Sequence, residues 1–189
     1  MFGALTIIFW VLTYILIIVY GFRYWQERPI LMPYVACCFN FGWEVKALIQ
    51  SQGYWGFIAW TVLDVAIIVL NLHSIQTTKS KVFYCISIVA SLSAFWMVFN
   101  LKNIDGKLIS AYAIGLFMQL EYLIDIKRIS SRGKTLIAIT KLIGDFFALL
   151  CNYDYLTIIV VAAVLTLIVD SIYLFFVIND NYNKPTKIV

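Results

Sequence analysis

Long apolar stretches separated by short polar segments recur along the whole chain. A helix needs about 20 predominantly apolar residues to cross the hydrocarbon core of a bilayer, which is about 30 Å thick. The first stretch lacks the basic leader and small-residue cleavage site of a signal peptide, so it is expected to remain as a helix. The pattern therefore predicts seven transmembrane helices, over residues 2–20, 29–50, 55–72, 82–101, 108–124, 135–150 and 155–178.

The segments between the predicted helices are short, which favours antiparallel packing of helices that follow one another in the chain. Pro29 and Pro33 fall in the first turns of the second predicted helix, where proline is tolerated. No internal repeat or linker divides the sequence. We therefore expect a single transmembrane domain over residues 1–189, with an all-α fold: an integral-membrane seven-helix bundle.

The composition excludes a water-soluble domain. Of the 189 residues, 63% are hydrophobic and 13% are charged, whereas soluble domains carry about 25% charged residues. The single histidine, His73, rules out metal sites built from several histidines. The four cysteines show no CxxC spacing, so we expect buried apolar residues rather than metal ligands or disulfide partners. They are Cys37, Cys38, Cys85 and Cys151.

Basic residues are concentrated in every second connection. Ten of the fourteen lie in the first, third and fifth connections and in the C-terminal tail, against two, Lys102 and Lys107, in the fourth connection. Because Lys and Arg accumulate on the cytoplasmic side, we expect a multi-pass membrane protein with its N-terminus outside and its C-terminus in the cytoplasm. The net charge of +4 is expected to meet anionic membrane lipid rather than nucleic acid. The ten are Arg23, Arg28, Lys79, Lys81, Lys127, Arg128, Arg132, Lys134, Lys184 and Lys187.

Five carboxylic acids fall inside the predicted helices. Each costs about 2.5–3.5 kcal/mol on insertion scales, and such residues are functional candidates by default. Lys141 and Asp145 are four residues apart on one helix face, so we expect a structural ion pair. Asp64 has no partner nearby in the sequence and is either a cavity residue or one end of an interhelical hydrogen bond. The five acids are Glu44, Asp64, Glu121, Asp145 and Asp170.

Glu44 has Asn40 one turn before it on the same helix face, and Asp170 lies in an otherwise apolar stretch over residues 160–177. Desolvation favours the neutral form of a carboxyl, and a neutral carboxyl in a dry pocket can act as a general acid. Packing, or a proton relay in a transporter, remains open for both residues. At about 1.5 Å per residue, Glu44 is expected toward the outer half of the membrane and Asp170 toward the inner half, where the two would flank an elongated substrate.

Four stretches resemble, in order, the motifs of one enzyme family. The resemblance is to the small integral-membrane terpene cyclases of fungal meroterpenoid and indole-diterpene biosynthesis and to their bacterial relatives. One departure is Lys141, which stands where the family has an arginine, and a lysine does not reproduce a bidentate guanidinium contact. The stretches are Asn40-Phe41-Gly42-Trp43-Glu44, Trp60-Thr61-Val62-Leu63-Asp64, residues 129–135 with Lys141-Leu142-Ile143-Gly144, and Val169-Asp170-Ser171-Ile172-Tyr173.

The resemblance implies a mechanism and a set of site residues. Glu44 and Asp170 would be the catalytic acids, which protonate an epoxide or a terminal alkene of a lipophilic prenylated substrate. Neither DDxxD nor DxDD is present, so the expected reaction needs no metal and no cofactor. Aromatic side chains are available to stabilise carbocations. The substrate-binding residues expected from the motifs are Asn40, Trp43, Trp60, Asp64 and Tyr173.

Two other classes of membrane protein are compatible with the sequence. One is a small proton- or ion-coupled transporter that uses the buried acids as a relay, although the inverted repeat of many transporters is absent. The other is a heptahelical sensor of the retinal type. A Schiff-base lysine is absent from the last predicted helix, which leaves Lys141 as the deep candidate.

Overall fold

The computed structural model describes residues 2–50, 55–98, 104–131, 133–152 and 157–183. Within these ranges the chain is all-helical, as expected from the sequence. A short 3-10 turn, Trp25–Glu27, follows the first helix. The helices are α1 (Phe2–Arg23), α2 (Tyr34–Gln50), α3 (Trp55–Ser74), α4 (Thr78–Val98), α5 (Ile104–Ile124), α6 (Lys134–Asn152) and α7 (Thr157–Asn183).

The helices bury an apolar core together with many polar residues, and they also expose many large apolar side chains. Within the described residues, four helices are long and apolar enough to cross a membrane: Gly3–Arg23, Gly56–Ser74, Lys134–Asn152 and Thr157–Asp180. Phe83 is 69% exposed, whereas Asp64 and Gln119 are 0% exposed. Such a distribution suits a helical protein surrounded by lipid, in which ionisable residues face the interior.

Three helices begin four or five residues from the positions that the sequence pattern predicts, and one of them, α5, begins at Ile104 rather than at residue 108. α2 begins at Tyr34 rather than at residue 29, because proline disfavours helical backbone in the residue before it and both Pro29 and Pro33 lie in this segment. α4 begins at Thr78 rather than at residue 82. The side chain of Thr77 accepts a hydrogen bond from the Ser80 backbone N–H at 3.2 Å, which supplies an N-terminal cap before the apolar run starts.

The order of the helices in space differs from their order in the chain. Among the described residues, α2 packs on α3 and α6 packs on α7, but the principal partner of α1 is α6. The expectation that every helix packs on the next one is therefore wrong. Two side-chain hydrogen bonds draw α1 to α6: Trp10 Nε1 donates to Asp145 Oδ1 at 2.9 Å and Thr13 Oγ1 donates to Thr140 Oγ1 at 2.9 Å.

One end of the bundle is built from the first, third and fifth connections. The Trp25 ring stacks on His73 with 3.6 Å between ring centroids, and the Ser130 backbone N–H donates to the Ile30 carbonyl at 2.7 Å. These contacts bring together the ends of α1, α3 and α5. Arg132, Lys184 and Lys187, which the charge argument places at this end, lie outside the described residues, as does Lys102 of the fourth connection.

The interface between α1 and α6 depends on a glycine. A Cβ atom added to Gly144 would lie 2.5 Å from Cδ1 of Trp10. We expect Gly144→Ala to displace the indole and weaken its bond to Asp145, at a cost of about 1–3 kcal/mol in the free energy of unfolding. Unfolding of the purified protein by titration with a denaturing detergent measures the loss. The matched control is Gly115→Ala, because a Cβ at Gly115 meets nothing within 4 Å; equal stability of the two variants would contradict the prediction.

Candidate functional site

A cavity of about 400 Å³ lies between α1, α2, α3, α5, α6 and α7. It takes in the first half of α1, the second half of α2 and the last turns of α6, so it lies toward the end of the bundle opposite the Trp25–His73 contact. Its walls are predominantly apolar and aromatic. The lining residues are Gly3, Thr6, Ile7, Trp10, Thr13, Tyr14, Asn40, Trp43, Glu44, Trp60, Ala111, Tyr112, Ile114, Gly115, Met118, Lys141, Asp145, Ala148, Cys151, Asn152 and Thr166.

Glu44 is a carboxyl group in the cavity wall with a free oxygen. Glu44 is 5% exposed, and its Oε2 atom is buried without a hydrogen-bond partner in the described part of the chain. Buried polar atoms normally have a partner. An exception that lines a cavity is a group available to a ligand.

Asp64 holds the wall residue Asn40 in place through hydrogen bonds. Asn40 lies one helical turn before Glu44, and its Nδ2 atom is 3.0 and 2.9 Å from the two carboxyl oxygens of Asp64. The same nitrogen is 2.6 Å from the hydroxyl of Tyr14. Asp64 itself is 0% exposed and is not part of the cavity wall. Of the two alternatives for Asp64, the structure therefore has the interhelical hydrogen bond, and the amide hydrogens of Asn40 are occupied away from Glu44.

Indole rings form a large part of the wall beside Glu44. Trp43 Nε1 donates to Ser110 Oγ at 2.9 Å, and the ring centroids of Trp10 and Trp60 lie 6.4 Å apart. Because Ser110 and Asp145 accept the N–H bonds of Trp43 and Trp10, the polar edges of these two indoles are satisfied. What the rings offer to a ligand is apolar area and a negative π face, which attracts cations.

Besides Glu44, the cavity wall contains a second polar site, which includes the predicted ion pair between Lys141 and Asp145. Lys141 Nζ lies 3.0 Å from Asp145 Oδ2, as the four-residue spacing predicts. It also lies 3.6 Å from Asp170 Oδ1, a contact that sequence spacing does not reveal. Gln119 Nε2 donates to Asp145 Oδ2 at 3.3 Å. Lys141 and Asp145 line the cavity, whereas Asp170 lies behind Lys141 and is not a wall residue.

The structure thus brings some of the predicted site residues to one wall and places others behind it. Asn40, Trp43, Glu44 and Trp60 line the cavity, and Asp64, Asp170 and Tyr173 do not. Tyr173 is 2% exposed and packs edge-on against Tyr122 with 5.5 Å between ring centroids.

The expectation for the cysteines is right for one pair and wrong for the other. Cys37 and Cys38 are buried between helices, but Cys85 and Cys151 are exposed. Cys85 faces outward from α4, and Cys151 borders the cavity near the end of α6. Exposure is compatible with a small apolar side chain where the surrounding medium is lipid.

Several wall residues were not candidates from the sequence. Trp10 and Tyr14 stand in the first helix, outside any recognisable motif. Gln119 of the fifth helix, which donates to Asp145 but is not a wall residue, was not a candidate either. One signal was available: Thr6, Trp10 and Thr13 follow one another at spacings of four and three residues, which places them on one face of an otherwise apolar helix.

Comparison of the chain with protein-family models, with curated proteins and with solved structures finds no match. The functional argument therefore depends on the residues of the cavity themselves.

Proposed function

We propose that this chain is an integral-membrane terpene cyclase, in which Glu44 starts the cyclisation of a lipophilic prenyl chain inside the cavity. The observation that carries the proposal is the Glu44 carboxyl, whose Oε2 atom has no hydrogen-bond partner in the described part of the chain and which lies in an apolar wall next to Trp43. A carboxyl kept from water in this way holds a proton that it can transfer to a weakly basic group.

The chemistry balances without a co-reactant. Neutral Glu44 gives its proton to the oxygen of an epoxide, whose C–O bond then breaks, or to a terminal alkene carbon, whose π electrons form the new C–H bond. Each further alkene of the prenyl chain supplies the electron pair for the next C–C bond and passes the positive charge along. Loss of a proton next to the last cation forms a new alkene and returns the proton that was spent, so the product is an isomer of the substrate.

The cavity suits carbocations. They need surroundings that contain few nucleophiles and that stabilise positive charge, and a cation over an aromatic face gains about 0.5–2 kcal/mol. Trp10, Trp43, Trp60 and Tyr112 lie in the wall. The hydroxyl of Tyr112 donates to the Ala148 carbonyl at 2.9 Å and accepts from Asn152 Nδ2 at 2.9 Å, so that a lone pair of this potential nucleophile is engaged.

Asp170 is the second acid of the proposal and acts from behind the wall. Its contact with the cavity is Lys141, whose ammonium lies between Asp170 and Asp145. In this arrangement Asp170 sets the charge and position of Lys141. A direct proton donation by Asp170 would require Lys141 to move.

We further infer that all seven helices cross the membrane, with the N-terminus outside and the C-terminus in the cytoplasm. Two contacts support an alternation of helix direction: the stacking of Trp25 on His73 and the hydrogen bond from Ser130 to Ile30. They gather the first, third and fifth connections at one end of the bundle. Exposed Lys79, Lys81, Lys127 and Arg128 belong to the same end. On this orientation the cavity opens toward the outer half of the bilayer.

The test is turnover by the purified full chain in lipid nanodiscs supplied with prenylated arenes and their terminal epoxides. We expect a product of unchanged mass in whose NMR spectrum the signals of the epoxide or of the terminal alkene are replaced by those of a ring. The Asp145–Lys141–Asp170 cluster favours one other function, a proton-coupled transporter that uses these groups as a relay. Unchanged substrate together with pH-driven flux in liposomes would support the transporter and contradict the cyclase.

A further inference from the structure

Gly115 is a glycine in the cavity wall that helix packing does not require. A Cβ atom added there meets nothing within 4 Å, whereas a Cβ at Gly21 would lie 2.5 Å from Leu70 and one at Gly144 equally close to Trp10. Gly115 has no positive φ angle either. A glycine inside a helix costs about 0.5–1 kcal/mol relative to alanine. The residue is therefore one whose missing side chain leaves room in the cavity.

The position of Gly115 along α5 shows which part of the cavity it opens. Ser110 of α5 accepts the hydrogen bond of Trp43, next to Glu44, and Gln119 of α5 donates to Asp145. Gly115 is five residues after Ser110 and four before Gln119, which is about 7.5 and about 6 Å along the helix axis. It thus lies between the Glu44 end of the cavity and the Lys141–Asp145 end.

α5 also places Tyr112 and Ile114 in the wall, and Tyr112 is held toward α6 by its bond to the Ala148 carbonyl. Two further wall residues of α5 leave the level of Gly115 open. Ala111, one turn earlier, is small, and Met118, about one turn later, is long and flexible. The cavity volume of about 400 Å³ lies near the lower end of the roughly 300–1,000 Å³ typical of small-molecule sites. A branched side chain at residue 115 would divide a space of that size into two parts.

We propose that Gly115 determines the length of prenyl chain that the cavity accepts, by keeping the Glu44 part and the Lys141 part continuous. The inference deepens the proposed function and rests on it for the nature of the ligand. A long chain extends past Gly115 from one part into the other. A short chain fits within one part and does not depend on the glycine.

The experiment measures binding rather than turnover, so that its outcome is separate from that of the cyclase assay. The purified full chain in nanodiscs is titrated with geranyl, farnesyl and geranylgeranyl acetate, and Kd is obtained from the quenching of tryptophan fluorescence. In Gly115→Leu we expect Kd for geranylgeranyl acetate to rise about tenfold or more, with geranyl acetate changed by less than about twofold. Gly115→Ala should lie between Gly115→Leu and the unchanged protein.

Ala113→Leu is the matched control, since Ala113 is exposed on the same helix and is not a wall residue. It should leave all three affinities unchanged. Gly115→Val serves as the second variant if Gly115→Leu fails to fold, which the thermal unfolding of the nanodisc sample reveals. An equal loss for all three acetates, the same selectivity in Ala113→Leu, or no binding of any acetate by the unchanged protein would overturn the inference. Length-selective binding without product would leave it standing and contradict the cyclase proposal alone.

Discussion

Glu44→Gln is expected to reduce product formation by about a hundredfold or more, with no loss of membrane insertion or folding. Glutamine keeps the shape of the side chain but has no acidic proton to transfer, and a positioned general acid contributes about 10²–10⁴-fold to a reaction rate. The amide also fills the position of the unpartnered Oε2 atom. The measurement is the initial rate of isomer formation from the epoxide, by mass spectrometry, in nanodiscs with matched amounts of folded protein.

Glu121→Gln is the control for this variant, because Glu121 is also a helix glutamate but lies outside the cavity wall. It should retain the full rate. We expect Asp170→Asn to abolish turnover as well, through its effect on Lys141. A rate for Glu44→Gln within a few fold of that of the unchanged protein would remove Glu44 from the mechanism.

Lys141→Met is expected to give the largest loss of stability among the variants considered. It removes the ammonium that lies 3.0 Å from Asp145 and 3.6 Å from Asp170, and it leaves two carboxyl groups buried beside each other. Removing one partner of a buried ion pair costs about 3–5 kcal/mol because the remaining charge is uncompensated. Detergent-induced unfolding monitored by circular dichroism measures the change.

A triple variant separates charge from packing. Lys141→Met combined with Asp145→Asn and Asp170→Asn has no buried charge in the cluster, so it should recover a large part of the stability lost by Lys141→Met alone. Lys141→Arg tests the departure from the motif that the sequence resembles, since it supplies the guanidinium expected at that position. If Lys141→Met unfolds at the same detergent concentration as the unchanged protein, the cluster does not stabilise the bundle.

The helices themselves could be located from the sequence because each one largely coincides with a long apolar run. Boundaries were wrong where polar residues extend a helix beyond its apolar part. α4 starts at Thr78 because Thr77 caps it. The polar residues Lys79 and Lys81 made this part of the sequence resemble a connection between helices. The predicted start of α2, residue 29, lies too early for the opposite reason. The segment that contains Pro29 and Pro33 is not helical, and the helix begins after it, at Tyr34.

The site could be predicted only in part, because spacing along one helix says nothing about contacts between helices. The Lys141–Asp145 pair follows from a four-residue spacing, and the structure contains it. The position of Asp170 beside Lys141 depends on how α7 packs on α6. Similarly, Asp64 and Asn40 meet across α2 and α3, which decided between the two alternatives for Asp64.

The pairing of α1 with α6 has a consequence for biosynthesis. Trp10 and Asp145 are separated by 135 residues, and a ribosome that adds about 5–20 residues per second makes that length in roughly 7–27 s. During this interval Thr13 already has a local acceptor, the Phe9 carbonyl at 2.9 Å, but the indole N–H of Trp10 has yet to meet its carboxylate. α1 therefore completes its contacts only after α6 has been made, although its contacts with α2 and α3 can form earlier. A nascent chain that stops before α6 leaves the side of α1 that carries Trp10 without its partner.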